Sequence, residues 1–176
     1  MKRIAVVGTT GSGKTILAGQ LAARLGIPMI DLDALFWEAN WTPADLQLFR
    51  QRVSQAVTTE QWITSGNYSK ARDLIWGQTD TLVWLDYPLG LVLYRLLRRA
   101  LQRIITQEEL WGGNRETWRG QFLSRDSLFL YALRSHGRHR REYPSIAAAY
   151  PDLKLVHLHA PRQAEVWLNE LTPVYN

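Results

Sequence analysis

Short apolar runs alternate with longer segments of helical periodicity along the chain. A run of four to six mostly apolar residues, rich in β-branched side chains, is typical of a strand buried in a parallel sheet. The segments between the runs place apolar residues three and four positions apart, which is typical of helices that pack through one face. The pattern predicts five strands, at residues 3–7, 29–33, 61–64, 81–86 and 154–158.

Strands that alternate with helices predict an α/β fold. We expect a three-layer α/β/α arrangement, in which a five-stranded parallel sheet lies between two layers of helices and the crossovers are right-handed. The 176 residues suit one domain, from residue 1 to residue 176. Two segments interrupt the alternation, residues 34–60 and residues 104–128.

The helix boundaries follow from capping residues and periodicity. Residues 89–105 give the clearest helix, because one of its faces is fully apolar. Thr42 followed by Pro43 predicts a helix start, with Thr42 as the N-cap. Near the C-terminal end, residues 127–135 predict one helix, and a separate short helix is expected from residue 143 to residue 150.

The first predicted strand runs directly into the sequence GTTGSGKT, residues 8–15. This fits the pattern of a phosphate-binding loop between a strand and a helix. Glycines allow backbone conformations in which successive N–H groups surround a phosphate chain, and the helix N-terminus adds partial positive charge. The side chain of Lys14 would reach the β- and γ-phosphates of ATP, and the hydroxyl of Thr15 would bind Mg²⁺. The predicted nucleotide-binding residues are Gly8, Thr9, Thr10, Gly11, Ser12, Gly13, Lys14 and Thr15.

Acidic residues end two of the predicted strands. If residues 29–33 are extended, Asp31 and Asp33 lie on the same side of the strand. Carboxylates near a phosphate loop hold Mg²⁺ through water or accept a hydrogen bond from a substrate hydroxyl or amine. The alternative is that Asp33 caps a helix that starts at Ala34. Asp86 ends an apolar strand, as the acidic residue of a Walker B motif does. The predicted Mg²⁺ residues are Thr15, Asp31 and Asp86, and Asp33 is a predicted substrate residue.

The third predicted strand ends in the tight turn SGNY, residues 65–68. This is the edge of the sheet where α/β proteins bind ligands, so Asn67 and Tyr68 are further candidates for substrate contacts. The aromatic residues of the stretch 36–41 offer flat surfaces that would stack on a substrate ring. Packing in an aromatic core is the commoner use of such residues.

Positive charge is concentrated in one segment. Residues 95–141 contain eleven arginines, no lysine and four acidic residues, a local charge of +7 in a chain of net charge +5. The planar guanidinium suits phosphate recognition, and the alternatives are a solvated basic surface or nucleic acid binding. We predict that Arg95 contacts the substrate. The predicted catalytic residues are Lys14, Arg99, Arg115 and Arg119.

Composition excludes several classes of protein. The chain has no cysteine, which excludes disulfide frameworks and thiolate metal sites, and a reducing, cytoplasmic location is expected. No apolar run approaches the ~20 residues that a membrane-spanning helix needs. None of the four histidines has the sequence spacing of metal ligands, and His157 is interpreted as an ordinary strand residue.

Four motifs make the chain resemble the nucleoside monophosphate kinase-like group of phosphate-loop proteins. More narrowly, the chain resembles the DNA topology modulation proteins, which are related to adenylate kinases. The motifs are DLDALFW at residues 31–37, GNY at 66–68, WLDYP at 84–88 and ELWGGN at 109–114. The resemblance covers nearly the whole chain. It implies ATP and Mg²⁺ as cofactors, an acceptor-binding insert at residues 34–60 and an arginine-bearing lid at residues 104–128.

One position departs from that group. The group usually has Asp before Gly-Asn-Tyr, where this chain has Ser65. An Asp there would help to organise Mg²⁺. Either Asp31, Asp86 or water therefore takes over that task, or metal binding is weaker.

The expected function is that of a kinase, which transfers the γ-phosphoryl group of ATP to a small acceptor. A nucleoside monophosphate, a sugar or an aromatic metabolite would suit the predicted acceptor residues. The alternative is a nucleotide-dependent DNA-binding regulator that hydrolyses ATP slowly, which a steep loss of DNA affinity with salt would reveal. A nucleotide binder without turnover is the remaining alternative. The sequence favours neither adenine nor guanine and predicts no oligomeric state.

Overall fold

The structure, a computed structural model, describes residues 1–123 and 127–171. Five strands form one parallel sheet in the order β2-β3-β1-β4-β5. This confirms the predicted α/β fold. The strands are β1 Arg3–Gly8, β2 Met29–Asp31, β3 Trp62–Ser65, β4 Thr81–Leu85 and β5 Lys154–Leu158.

Seven α-helices connect or follow the strands in the described residues. They are α1 Lys14–Leu25, α2 Leu32–Phe36, α3 Leu46–Ala56, α4 Arg72–Trp76, α5 Leu89–Thr106, α6 Leu128–Ala148 and α7 Pro161–Glu170. None of these helices is long and apolar enough to cross a membrane. Short helical turns lie at Ala39–Trp41, Ser69–Ala71, Trp111–Gly113 and Arg119–Leu123.

The core consists of two apolar layers, one on each face of the sheet. Because successive strand residues point to opposite faces, Ile4 and Val6 of β1 join the layer that α1 and α7 cover. Ala5 and Val7 join the other layer, which α3, α4 and α6 cover with the large side chains of Phe49, Trp76 and Tyr143. The three central strands, β3, β1 and β4, are therefore buried on both faces, as their apolar sequences indicated.

The second strand is shorter than predicted. β2 ends at Asp31, whose side chain accepts a hydrogen bond from the backbone N–H of Asp33 at 3.1 Å and so caps α2. The expectation that Asp31 and Asp33 extend from one side of a strand is wrong, and so is the alternative of Asp33 as the cap. A short Asp side chain that satisfies a free N–H ends the strand two residues early.

The helix predicted to start at Thr42–Pro43 begins at Leu46 instead. Asp45 is its N-cap and accepts hydrogen bonds from the backbone N–H groups of Gln47 and Leu48 at 2.8 and 3.2 Å. Pro43 forms an isolated bridge with an upstream tryptophan. The helix therefore starts after Asp45, whose carboxylate accepts two backbone hydrogen bonds, and not at Thr42–Pro43.

The two helices predicted after residue 127 are one helix. α6 spans 21 residues and contains Pro144. Its buried side chains include Ala132, His136, Tyr143 and Ala147, which keep helical spacing up to and past that proline. Burial of this continuous face offsets the hydrogen bond that the proline removes.

Candidate active site

The phosphate loop lies between β1 and α1 and rests directly on neighbouring backbone. Gly8 and Gly11 have φ of 148° and 84°, values that favour glycine. A Cβ at Gly8 would lie 2.6 Å from the carbonyl oxygen of Leu85, and one at Gly11 would lie 2.8 Å from that of Val92. Gly13 caps α1 without a side-chain hydrogen bond, so the N–H groups of the first turn are available to an anion.

Lys14 lies beside two carboxylates and one arginine. Its Nζ donates a hydrogen bond to the carbonyl oxygen of Thr9 at 3.2 Å. Burial lowers the pKa of Lys14 to about 8, with Asp33 and Asp31 opposing the shift and Arg99 adding to it. Among the described residues Lys14 forms no ion pair within 4 Å, so its ammonium group is available to a phosphate.

Three oxygen-bearing side chains line the strand ends on one side of the loop. The hydroxyl groups of Thr15 and Ser65 lie 3.2 Å apart. Asp31 is opposite Ser65 in the β2–β3 ladder. Burial raises the pKa of Asp31, and the neighbouring Asp33 raises it further. Hydroxyl and carboxylate oxygens are ligands that Mg²⁺ prefers, so these residues fit the ion that the sequence implies.

Asp33 is held by Tyr68, whose hydroxyl donates a hydrogen bond to Asp33 Oδ1. Burial and the adjacent carboxylate raise the pKa of Tyr68, so the phenol stays protonated and remains a donor. Asn67 contacts the phosphate loop: its Oδ1 accepts from Gly8 N at 3.0 Å and its Nδ2 donates to Gly8 O. Tyr68 therefore lies on the predicted acceptor side, while Asn67 braces the loop.

Two arginines of α5, Arg95 and Arg99, lie near the phosphate loop. Arg95 donates a hydrogen bond to the carbonyl oxygen of Ser12 at 3.3 Å, and its guanidinium lies 5.5 Å from the ring centre of Tyr87. Arg99 is partly buried, and its Nε has no hydrogen-bond partner among the described residues. Burial lowers the pKa of Arg99, and Arg103 lowers it further. Arg95 thus contacts the phosphate loop rather than the acceptor insert, and Arg99 approaches both Lys14 and Asp33.

The other two predicted catalytic arginines lie further out. Arg115 is exposed and pairs with Glu109 at 3.7 Å. Arg119 is exposed in the helical turn that ends at Leu123. No contact of either side chain with the phosphate loop is present among the described residues. Their role stays a prediction, and residues 124–126 of the predicted lid lie outside the described residues.

Residues 111–114 of the predicted lid segment (residues 104–128) contact residues 38–41 of the predicted acceptor insert (residues 34–60). Buried Asn114 donates to Glu38 O at 2.8 Å and accepts from Trp41 N at 2.7 Å. The indole of Trp111 donates to Asp31 Oδ2 at 3.1 Å. In this arrangement a lid side chain occupies part of the predicted Mg²⁺ ligand set.

Asp86 lies apart from Thr15 and Asp31. It follows β4, which pairs with the side of β1 opposite to β3 and β2. Its carboxylate accepts a hydrogen bond from Arg140 Nε at 2.7 Å, and Oδ2 lies 3.1 Å from His157 Nε2. No contact of Asp86 with Thr15 or Asp31 is present among the described residues, and its role in binding Mg²⁺ stays a prediction.

Several solved structures share this architecture. The match to a shikimate kinase from Bacteroides thetaiotaomicron has 18% identity and a TM-score of 0.58 and covers 96% of this chain and 94% of that one. The match to a shikimate kinase from Acinetobacter baumannii in complex with shikimate has 16% identity and a TM-score of 0.55, and it covers 98% of this chain and 96% of that one. The match to a gluconokinase from Sinorhizobium meliloti 1021 has 18% identity and a TM-score of 0.54, and it covers 97% of this chain and 93% of that one. No family model matches the sequence, and no curated protein matches it.

The chain has the fold of the phosphate-loop kinases. At these identities the likeness concerns the fold, so the chemistry is argued from the side chains that this fold brings together. In such open parallel sheets, ligands bind outside the carboxyl ends of the strands, where the loop, Asp31, Asp33 and Tyr68 lie.

The aromatic stretch of the acceptor insert packs mainly on itself. The ring of Phe36 meets Trp37 at 5.0 Å, Phe49 at 5.1 Å and Tyr68 at 4.7 Å between centroids. Trp37 and Trp41 form an edge-to-face pair at 5.6 Å and are partly exposed. This cluster supports Tyr68, and therefore Asp33, from behind.

Two residues near the site were missed by the sequence analysis. Arg72 lies over the rings of Trp76 and Tyr143, at 5.2 and 5.9 Å, and forms no ion pair with any described residue. His139 is buried and stacks on Tyr143, and its Nδ1 has no hydrogen-bond partner in the part of the chain that the structure describes. Burial and then the nearby Lys14 lower the pKa of His139 to about 4, so the imidazole is neutral. His139 and Tyr143 are four residues apart in the sequence, and this helical spacing could have indicated that both lie on one buried helix face.

Proposed function

We propose that this protein is a kinase that transfers the γ-phosphoryl group of ATP to a hydroxyl group of a small acceptor. The observation that carries the proposal is the position of Lys14 between the phosphate loop, Asp33 and Arg99. A site for phosphate, a candidate proton acceptor and a partly buried cation, Arg99, thus lie close together.

Each side chain has a defined task in the transfer. The loop N–H groups and Lys14 bind the phosphates, and Arg99 offsets the charge that spreads over the transferring group. Asp33 orients the acceptor hydroxyl and takes its proton as the new oxygen–phosphorus bond forms. The bond between the γ-phosphorus and the β–γ bridging oxygen breaks, and ADP leaves. Tyr68 keeps Asp33 in place because the phenol remains protonated.

Thr15 and Asp31 would hold Mg²⁺. When bound, the ion neutralises charge on the phosphate oxygens. Ser65 occupies the sequence position where the DNA topology modulation proteins usually have Asp. Its hydroxyl lies 3.2 Å from that of Thr15. Trp111 must release Asp31 before that carboxylate can serve the ion directly.

The acceptor is expected to carry a hydroxyl group for Asp33 and an anionic group for Arg72. Arg72 lines a small cavity together with Asn67 and Tyr68. This places a cation that pairs with no described carboxylate near the predicted acceptor side. Sugar acids, hydroxylated carboxylic acids and nucleoside monophosphates have these two features. The narrower resemblance to DNA topology modulation proteins names no acceptor and stays a hypothesis.

An acceptor screen for ADP formation tests the proposal. The screen includes shikimate, gluconate and nucleoside monophosphates, each with Mg²⁺–ATP, beside an acceptor-free control. We expect acceptor-dependent ADP formation. The Arg99→Ala variant should lower kcat by roughly 10³ to 10⁵, while the ATP Kd changes much less.

Arg98→Ala is the matched control, because Arg98 precedes Arg99 in α5 and is exposed. It should leave kcat unchanged. Equal effects of both substitutions would indicate a general charge effect and remove Arg99 from the mechanism. ADP formation that no acceptor stimulates would indicate an ATPase, and no ADP formation at all would leave a nucleotide binder as the function.

A further inference from the structure

Two imidazoles and one carboxylate converge at the carboxyl ends of β4 and β5. In the parallel ladder His157 is opposite Trp84, and the backbone N–H of Asp86 donates to Leu158 O at 2.8 Å. This register places Asp86 between His157 and His159. His157 Nε2 lies 3.1 Å and His159 Nδ1 lies 3.7 Å from the same oxygen, Asp86 Oδ2.

We propose that Asp86, His157 and His159 form a binding site for a late first-row divalent cation such as Zn²⁺ or Co²⁺. The three ligand atoms all lie within 4.8 Å of one another. A tetrahedral ion with bonds of about 2.0 to 2.1 Å holds its ligand atoms ~3.4 Å apart. The distances of 3.1 and 3.7 Å lie on either side of this value. Small side-chain rotations would therefore complete the geometry.

The surroundings fix two of the three ligands. The ring of His157 is stacked on Trp84, with centroids 3.9 Å apart and an angle of 6° between the planes. Arg140 Nε donates to Asp86 Oδ1 at 2.7 Å, which orients the buried carboxylate and leaves Oδ2 directed at the histidines. Hydrogen bonds of this kind to a ligating carboxylate commonly support metal sites.

The third ligand can adjust. The His159 side chain is 56% exposed, while its backbone N–H is held by Gln163 Oε1 at 2.6 Å. The ring can therefore rotate toward a cation without movement of the strand end. Its centroid is already 4.0 Å from that of His157.

The ligand set selects the class of cation. Mg²⁺ and Ca²⁺ bind oxygen ligands, whereas two imidazoles with one carboxylate suit Zn²⁺, Co²⁺, Ni²⁺ or Cu²⁺. The positive charge of Arg140 offsets the negative charge of Asp86, which further disfavours ions bound chiefly by charge. Coordination uses the Nε2 lone pair of His157, so that ring carries its proton on Nδ1 in the metal-bound form. Three protein ligands leave a fourth position for water or another donor.

The test uses the full chain without a histidine tag, treated with chelator and titrated with Co²⁺ and then Zn²⁺. We expect one equivalent to bind, with a visible absorption band typical of tetrahedral Co²⁺ that Zn²⁺ abolishes and millimolar Mg²⁺ does not. His159→Ala should weaken binding at least tenfold. His157→Ala combined with His159→Ala should abolish saturable binding.

Arg162→Ala is the control, because Arg162 is exposed close to His159 in the sequence and is no ligand in the proposed set. It should bind Co²⁺ like the parent. Thermal unfolding in chelator checks that His159→Ala is folded, which its exposed side chain leads us to expect. Absence of saturable binding in the parent would overturn the proposal, and so would unchanged binding in the double variant.

Discussion

Lys14 shows how burial prepares a single residue for phosphate. Its pKa is lowered to about 8, mainly because burial disfavours the charged form. A bound polyphosphate would reverse this effect, since the opposite charge favours the ammonium form. Proton uptake should therefore accompany nucleotide binding above the pKa of the free protein.

We predict that ATP affinity falls as the pH rises through about 8, the pKa of Lys14. Titration calorimetry above that pH in buffers of different ionisation enthalpy should show proton uptake on ATP binding. Lys14→Ala should bind ATP weakly and without that uptake, whereas exposed Lys70→Ala should behave like the parent. Proton uptake that persists without Lys14 would assign the titration to another group.

The same shift makes a prediction about stability. The folded chain loses the Lys14 proton near pH 8, while the ordinary lysine pKa of 10.5 applies to the unfolded chain. Between these values the unfolded chain binds more protons, so this residue makes the free energy of unfolding rise with pH. Denaturant unfolding of the parent and of Lys14→Met over this range measures the difference.

At the scale of elements, two glycines, Gly112 and Gly113, lie in the part of the predicted lid segment that contacts the acceptor insert. Gly112 has φ of 66°, and a Cβ there would lie 2.7 Å from the carbonyl carbon of Glu38. Gly113 has φ of 74°, but the nearest atom to its Cβ is Glu109 Oε1 at 3.7 Å. The two glycines share the left-handed backbone conformation, which would strain any other residue. Only Gly112 lies close to the acceptor insert.

We predict that Gly112→Ala lifts the lid segment from the insert and that Gly113→Ala does not. Both substitutions should cost about 1 to 2 kcal/mol for the left-handed conformation. The amide of Trp41, which donates to Asn114, should exchange its hydrogen at least tenfold faster only in Gly112→Ala. Equal exchange in both variants would mean that the contact at Gly112 does not hold the lid segment.

At the scale of the whole molecule, the arginines divide into two groups. Arg95 and Arg99 face the phosphate loop, whereas Arg134, Arg138 and Arg141 of α6 are exposed. The first group serves the proposed kinase. The second group is available to nucleic acid, which is the alternative function that the sequence left open.

Salt dependence separates these two uses. DNA binding through six to ten phosphate contacts would weaken by roughly 10³ to 10⁵ between about 50 and 200 mM salt. We predict that ATP affinity changes less than about tenfold over this range, because buried charges are screened less than exposed ones. Measuring both affinities on one preparation tests this. Tight DNA binding that ATP alters would favour the regulatory alternative.

Local patterns were enough to predict much of the molecule. The fifth strand, the phosphate loop and the long helix α5 follow from short-range periodicity and from glycines that only a tight loop requires. Lys14 and Thr15 belong to that local motif. The positions of Asp31 and Asp33 were predicted at the correct strand end, although a cap rather than an extended strand sets their conformation.

Tertiary packing decided the rest, because it joins residues that the sequence separates. Pro144 lies within one long helix because a buried face extends past it. Arg95 reaches Ser12 across 83 positions, and Asp86 meets His157 across 71. Neither contact has a local signal, since each depends on which strands and helices become neighbours. The order of β1, β4 and β5 is therefore what turns an acidic strand end and two ordinary histidines into a cluster.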